Sequence, residues 1–176
     1  GPLPTGEEAM SGTTALGVCP DRRPVELAEF RNAHGWAPSI WGRLAGKDWF
    51  RMEGSELDAM WGRIESMPPW QQVPLVLTFD TGVIPWQEYE WAADQLDEFE
   101  RRLPEQPGYA NHVPAVSALL RSRPEAPFFG IYGTSVSDNP FDPWDEEADT
   151  EGSGIPLRGM YVPDRHRHHL AATSPR

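Results

Sequence analysis

The sequence predicts a single domain of the α+β or small α/β class, with a mixed sheet of about three strands covered by four or five helices. The apolar run Val73–Phe79 is short and rich in β-branched residues, and it lies between Pro69 and Gly82, which is typical of a buried strand. From Pro85 to Leu103 the apolar positions are three and four residues apart, which predicts a helix. The 176 residues, 39% of them hydrophobic, suffice for one core.

Composition divides the chain into three parts. Residues 1–20 combine Gly, Pro, Thr and Ala without periodicity, so we expect a flexible segment that cannot bury enough surface to offset its ordering entropy. Its first two residues, Gly1 and Pro2, are typical of the remnant of a cleaved tag. Residues 21–162 are predicted to form the globular domain, which includes an acidic loop at 142–154, and residues 163–176 are predicted to form a flexible tail.

Three helices are predicted before the central strand. The first spans Asp21–Gly35, with Asp21 as its cap and apolar residues at positions 25, 27, 28 and 30. The second spans Pro38–Leu44, and the third begins at the cap Ser55 and continues to Met67. A helix-turn-helix interpretation of the first two is disfavoured, because the intervening turn is bulky and the whole chain is acidic.

After the central helix, the sequence predicts one more helix and two more strands. The helix runs from Val113 to about Ser122, with Asn111 as its cap. Phe128–Tyr132 and Ile155–Val162 are the predicted strands, and the first of them is expected to pair with Val73–Phe79. If that pair is parallel, the connection between the two strands is expected to be right-handed.

The charge of the chain excludes some classes of partner and favours another. There are 27 acidic and 15 basic residues, and the formal net charge is −12. Such a chain repels nucleic acids and anionic membranes and attracts cationic proteins. Cys19 is the single cysteine, so no intrachain disulfide can form, and a reducing cytoplasm is the expected compartment. No apolar run approaches the roughly 18 residues of a membrane-spanning helix.

The outer face of the Pro85–Leu103 helix is the predicted partner-binding surface. Trp91 falls opposite the apolar stripe on a helical wheel, together with Glu90, Asp94 and Glu98. Trp91 either packs under another element or anchors an interface whose acidic residues select a basic partner. The acidic residues of the loop that follows the second strand, Asp145, Glu146 and Glu147, are predicted to contribute to the same binding function.

Asp80 is the one candidate catalytic residue. Asp80-Thr81-Gly82 after an apolar run matches the short signature of aspartic proteases, but no second copy of the signature exists. A phosphotransfer role is also disfavoured, since Gly82 stands where a partner carboxylate would be expected. The alternative function is therefore a small hydrolase or transferase in which Asp80 acts with residues of Thr134–Asn139, and the simpler interpretation is that Asp80 hydrogen-bonds its turn.

Neither a metal nor a cofactor is predicted. His166, His168 and His169 lie in the Arg-rich tail, where no fixed geometry surrounds them. The acidic cluster Asp142–Glu151 lacks the Gly and the terminal Glu of a calcium-binding loop.

Three segments resemble small acidic bacterial proteins of the immunity or antitoxin kind that accompany secreted toxins. They are VPLVLTFD at 73–80, TSVSDNPFDPWD at 134–145 and GIPLRGMYV at 154–162, and the resemblance covers Trp61 to Val162. It implies inhibition of a toxin by direct binding, in agreement with the charge. The predicted function is therefore a non-enzymatic module that neutralises a basic toxin or enzyme; a third possibility is an assembly subunit whose Trp-rich surfaces bind other copies.

Overall fold

The computed structural model describes residues 12–20, 22–79, 81–133, 141 and 161–163. Within these residues, the chain forms four strands and five α-helices. The strands are β1 (Gly12–Val18), β2 (Val25–Arg31), β3 (Val83–Pro85) and β4 (Phe128–Gly133). The helices are α1 (Ala37–Ala45), α2 (Gly54–Gly62), α3 (Pro69–Val76), α4 (Tyr89–Arg102) and α5 (Val113–Arg121).

The four strands form one open antiparallel sheet in the order β2-β1-β4-β3. The predicted α+β class is confirmed, whereas the predicted mixed sheet of three strands is wrong. Among the described residues, the one parallel contact is an isolated bridge between Gly82 and Tyr161. Tyr161 belongs to the predicted strand Ile155–Val162, and the other residues of that strand, apart from Val162, lie outside the described residues.

β1 lies in the middle of the sheet, although the sequence analysis placed it in the flexible segment 1–20. All seven of its residues are buried, and the strand pairs with β2 on one side and β4 on the other. A strand that is covered on both faces needs no alternation of polar and apolar residues. Without alternation, the mixture of Gly, Thr and Ala resembled the composition of a mobile segment. The globular fold therefore begins before residue 21.

The predicted helix Asp21–Gly35 is wrong, because Val25–Arg31 forms the edge strand β2. The pairing of β1 with β2 shifts between Ala15 and Leu16, which leaves Leu27 as an extra residue on the β2 side. Leu27 and its neighbour Ala28 both pack against the main core as a result. Because of this bulge, the apolar residues of β2 are two, one and two positions apart instead of two apart throughout. This spacing resembles the apolar stripe of a helix, which is why the sequence predicted a helix here.

The predicted central strand Val73–Phe79 is wrong as well, because Pro69–Val76 forms helix α3. Pro69 occupies the first turn of that helix, where the missing N–H costs nothing, so the proline pair marks a helix start instead of a strand boundary. Residues 72–77 are all buried. A helix that is buried nearly all round has a continuous apolar sequence, which periodicity cannot distinguish from a buried strand.

The other predicted helices are present. The one predicted from Ser55 to Met67 is shorter than expected, because α2 ends at Gly62 and a separate 3₁₀ turn follows at Ile64–Ser66. α1, α4 and α5 occupy the predicted ranges, and the Asn111 carboxamide oxygen accepts a hydrogen bond from the Val113 N–H at 3.1 Å. The predicted cap Ser55 lies inside α2, because Glu53 occupies the cap position. The predicted strand Phe128–Tyr132 is confirmed as β4. Its predicted pairing with Val73–Phe79 is wrong, because that segment is helical and β4 lies between β1 and β3.

The helices cover one face of the sheet and form the main core with it. α4 contributes Tyr89, Ala92, Leu96 and Phe99, and the sheet contributes Ala15, Ile84, Phe129 and Ile131, all of them buried. Val113, Val116 and Leu120 extend this core from α5. Two buried hydrogen bonds fix polar atoms within it: Tyr89 Oη donates to Ala126 O at 2.7 Å, and Trp36 Nε1 donates to Leu77 O at 3.0 Å.

Residues from late in the chain cover the opposite face of the sheet. Phe141 and Val162 are buried there against Leu16, Val18, Val83 and Phe128. The Phe141 ring lies over Gly130, where a Cβ atom would come within 2.6 Å of Phe141 Cζ. Val83 N donates to Tyr161 O at 2.7 Å, and Tyr161 N donates to Thr81 O at 2.9 Å, so Tyr161 pairs with the chain at the start of β3.

Candidate protein-binding surfaces

The predicted surface on α4 carries less unpaired negative charge than its sequence indicates. Asp94 Oδ1 accepts from Arg121 Nη2 at 2.8 Å, and Glu98 forms ion pairs with both Arg101 and Arg102. Asp97 on the same helix also pairs with Arg121, at 2.5 Å. Of the predicted acidic residues on this helix, Glu90 alone is exposed without an ion pair to a described residue. The field that this face presents to a basic partner is therefore weak.

Trp91 does not stand clear of the core. Its side chain is partly buried and packs at the margin of the main core, next to the helices that flank α4. Trp70, another partly buried residue at that margin, lies under the guanidinium of Arg102 at 5.2 Å. The structure therefore shows the packing role of Trp91, with part of its side chain still exposed to solvent.

The other predicted sites are not brought together within the described residues. Asp80, Asp145, Glu146 and Glu147 lie outside them, as do the histidines of the C-terminal tail. The proposed position of Asp80 at the end of a strand is wrong, because the preceding element is α3. The described residues contain no cluster of His, Cys, Asp and Glu side chains that could hold a metal ion.

A different surface, which sequence reasoning missed, is formed by four aromatic side chains at the end of α1 and around it. Phe50 is at its centre and is 75% exposed, the highest value among the large hydrophobic residues that are described. The rings of His34, Trp49 and Tyr109 lie around it, with centroids 6.2, 6.4 and 6.3 Å from that of Phe50. We call these four residues, together with Asp48, which accepts a hydrogen bond from Phe50 N, the Phe50 patch.

Local sequence determines why Phe50 points outward. α1 ends at Gly46, which adopts a left-handed conformation with φ of 72° and closes the helix by a hydrogen bond from the cap. The next turn, Trp49–Arg51, is a short 3₁₀-helix capped by Asp48, whose Oδ1 accepts from Phe50 N at 3.0 Å. Such a turn is too short to bury all its side chains, and its residue Phe50 is left in solvent.

Two contacts attach this turn to the rest of the fold. Lys47 Nζ forms an ion pair with Glu56 of α2 at 2.6 Å. Gln106 Nε2 donates to Lys47 O at 2.9 Å and so connects the turn to the loop between α4 and α5, which also carries Tyr109. The turn that carries Phe50 is consequently bonded to α2 and to the loop between α4 and α5.

The patch has one carboxylate, and its ionised form is favoured. The hydrogen bond from Phe50 N lowers the pKa of Asp48, and a second hydrogen bond, from Tyr109 Oη at 2.8 Å, and the charge of Arg51 act in the same direction. In return, burial and the Asp48 carboxylate raise the pKa of Tyr109 to about 12. Asp48 is therefore negatively charged, and Tyr109 is a neutral hydrogen-bond donor, across the physiological range of pH.

A second aromatic group lies elsewhere on the surface but is less suited to docking. Trp61 packs at a tilt against Phe79, and Phe79 stacks on Tyr161, with centroid separations of 3.6 and 4.8 Å. All three are partly buried, and their contacts with one another tie Tyr161 to the body of the fold. This group has a structural explanation, whereas the exposure of Phe50 has none within the described residues.

One signal in the sequence could have indicated the Phe50 patch. The run Gly46-Lys47-Asp48-Trp49-Phe50 places two large aromatic residues between a helix-ending glycine and the next helix, in a segment without apolar periodicity. An aromatic pair in so short a connection is unlikely to be fully buried. Tyr109 and His34 carried no such signal, because only the fold brings their distant positions to the turn.

None of the helices within the described ranges combines the length and the apolar character that crossing a membrane requires. Comparisons with models of protein families, with curated proteins and with solved structures found no match to this chain.

Proposed function

We propose that this chain is a non-enzymatic protein-binding module that docks onto a basic protein through the Phe50 patch. The exposed aromatic centre of that patch is the observation that carries the proposal. Phe50 is 75% exposed on a turn that is held rigidly by Asp48, Glu56 and Gln106. A partner that covered it would recover about 1–2 kcal/mol from its apolar surface alone, at little cost in ordering the turn.

The composition of the patch supports docking. Interface hot spots are enriched in Trp, Tyr and Arg and cluster at the centre of the contact. Trp49, Tyr109 and Arg51 lie around Phe50, and Arg51 is exposed. The aromatic rings offer a large contact area with few rotatable bonds. Their side chains would therefore lose little conformational entropy when a partner bound them.

Charge supports a basic partner. The whole chain has 27 acidic and 15 basic residues and a formal net charge of −12. The described ranges contain 15 of the acidic and 11 of the basic residues, which gives them a net charge of −4. The other 12 acidic residues include Asp145, Glu146 and Glu147. Charge of this sign accelerates the encounter with a cationic protein more than it strengthens the final complex.

Inhibition of a toxin or enzyme by direct binding, as in immunity and antitoxin proteins, is the role that we propose for such a complex. An inhibitor needs a preformed surface and a charge opposite to that of its target, and needs no catalytic group of its own. The α4 face is the second candidate surface, with Trp91 and Glu90 as its accessible residues and Asp94 and Glu98 engaged in internal ion pairs.

The test compares matched aromatic variants. Proteins of a lysate from the source organism are captured on the wild-type chain, on Phe50→Ala and on Trp86→Ala, and each captured protein is then purified and titrated. Trp86 is the control because it is 43% exposed and lies outside the patch, under the guanidinium of Arg123 at 4.2 Å. We expect a basic protein whose affinity falls at least tenfold for Phe50→Ala and stays unchanged for Trp86→Ala.

Three outcomes would overturn the proposal. Equal affinity of the partner for Phe50→Ala and wild type would show that the patch is not the docking surface. A loss confined to Trp91→Ala would transfer the surface to α4. Self-association of the purified chain that Phe50→Ala abolishes, seen by sedimentation, would replace the proposed inhibitor by an assembly subunit.

A further inference from the structure

Arginine side chains stack on aromatic rings at three places in this fold. The guanidinium carbon lies 4.4 Å from the ring centroid for Arg43 over Phe99, 5.2 Å for Arg102 over Trp70 and 4.2 Å for Arg123 over Trp86. Such contacts combine the charge of the guanidinium with the negative face of the ring.

In two of these places the arginine is also bonded to a carboxylate. Arg43 Nη1 lies 2.5 Å from Glu100 Oε1, and Arg102 Nε lies 2.6 Å from Glu98 Oε1. The recurring unit therefore consists of a ring, a carboxylate and a guanidinium that contacts both. Each unit is complete within the chain and leaves no vacancy for a ligand.

The Phe50 patch contains the ring and the carboxylate of this unit without the guanidinium. Asp48 Oδ1 accepts both of its hydrogen bonds, from Phe50 N and Tyr109 Oη, while Oδ2 accepts none from a described residue. Arg51 contributes favourable charge to Asp48, but it forms neither an ion pair with it nor a ring contact with Phe50 in the described part of the chain.

We propose that an arginine side chain of the protein partner completes this unit, with its guanidinium on Asp48 Oδ2 and its planar face against the ring of Phe50. This inference rests on the proposed function, because it names the partner group that the Phe50 patch receives. Arginine fits better than lysine, since a planar guanidinium can stack on a ring and donate to a carboxylate at the same time, as Arg43 and Arg102 do in this fold.

The surroundings of Asp48 set the strength of this contact. Its carboxylate is held by two donors, so it needs no reorganisation when the guanidinium arrives. Arg51 on the same turn opposes a second positive charge beside Asp48. A single arginine should consequently bind weakly, and the affinity of a whole partner would come from several contacts made together.

The test uses short peptides as probes with the full chain. Acetyl-Gly-Arg-Gly-amide, its Lys counterpart and its Gln counterpart are titrated against the labelled protein by amide and indole NMR, with the Trp49 indole as reporter. We expect saturable shifts of Trp49 and Phe50 with the Arg peptide, an affinity about threefold lower with Lys, and no saturable shift with Gln.

Matched variants then test whether Asp48 and Phe50 are the residues that bind the Arg peptide. Asp48→Asn is expected to weaken the Arg peptide about threefold to tenfold, whereas Glu125→Gln, an exposed acid between α5 and β4, is expected to leave it unchanged. Phe50→Leu, which keeps an apolar side chain without a π face, should also weaken binding of the Arg peptide.

Equal shifts with the Arg and Gln peptides, or unchanged Arg affinity of Asp48→Asn, would overturn the inference. These outcomes are separable from a failure of the proposed function. A captured partner that depends on Phe50 but not on Asp48 would leave the docking surface in place without its arginine site. An Arg peptide that depends on Asp48, in the absence of any Phe50-dependent partner, would leave the site without the proposed complex.

Discussion

At the scale of single residues, the pair formed by Asp48 and Tyr109 explains how the exposed turn keeps its shape. The two residues are 61 positions apart, and Tyr109 Oη donates to Asp48 Oδ1 at 2.8 Å. The same carboxylate oxygen caps the 3₁₀ turn that carries Phe50. One oxygen atom therefore joins the loop after α4 to the turn after α1, and its charge affects the titration of the phenol.

Replacing Asp48 by Asn should lower the pKa of Tyr109 from about 12 toward its ordinary value of 10, because a neutral amide removes the negative charge beside the phenol. The decrease should be partial, since burial is the larger cause of the shift and remains. Carbon NMR of ring-labelled tyrosine as a function of pH measures this pKa, with Tyr109→Phe used for assignment. An unchanged pKa in Asp48→Asn would mean that the hydrogen bond does not form in solution.

At the scale of elements, the helices with one polar face were predictable and the fully buried elements were not. α4 and α5 each have a solvent side, so their apolar positions follow the helical period. α3 and β1 are covered on nearly every side, so their apolar residues show no periodic spacing. The sequence alone therefore cannot tell whether such a segment is a helix, a strand or mobile. In β2, the bulge at Leu27 interrupts the alternation of apolar and polar residues that would have indicated a strand.

Asp97 makes two polar contacts between α4 and α5. Asp97 of α4 accepts a hydrogen bond from Ser117 Oγ at 2.6 Å and forms an ion pair with Arg121 at 2.5 Å. Burial alone would raise the pKa of Asp97, but the bonds from Ser117 and Arg121 outweigh it and lower the pKa below the ordinary 3.8. The ionised form is therefore the one that stabilises the folded state.

Asp97→Asn should reduce the free energy of unfolding at neutral pH by roughly 0.5–1 kcal/mol, as expected for a partly exposed pair. Since the folded pKa is the lower one, this difference should be complete above about pH 4 and should shrink as the pH falls through the folded pKa. Urea unfolding at a series of pH values measures it. Asp58→Asn is the control, because Asp58 is exposed and bonds to no described residue; a difference for Asp97→Asn that stays constant with pH would contradict the assignment.

At the scale of the whole molecule, the sheet is enclosed by helices on one face and by residues from late in the chain on the other. Phe141 is fully buried over Gly130, and Val162 lies in the same cluster. The sequence indicated neither contact, because Phe141 adjoins the acidic cluster Asp142–Glu151, and the predicted strand that ends at Val162 had no partner that the sequence could specify. The Phe50 patch was missed for a related reason, since its four rings come from three separate connections.

Phe141→Ala should lower the free energy of unfolding by about 3 kcal/mol, because it removes a fully buried ring and leaves a cavity above Gly130. Phe50→Ala provides the comparison, since an exposed ring should change stability by no more than about 0.5 kcal/mol. Urea unfolding of both variants measures the difference. Equal stability of the two variants would show that Phe141 does not cover the sheet in solution.

The position of β1 in the middle of the sheet affects how the chain folds during its synthesis on the ribosome. Its central partner β4 (Phe128–Gly133) is made more than a hundred residues after β1 (Gly12–Val18), so the hairpin of β1 and β2 emerges long before the middle of the sheet can close. During that interval one edge of β1 has no strand beside it, and a long loop must be closed when β4 arrives. Nascent chains that stall before residue 133 should therefore aggregate more readily than chains that stall after it.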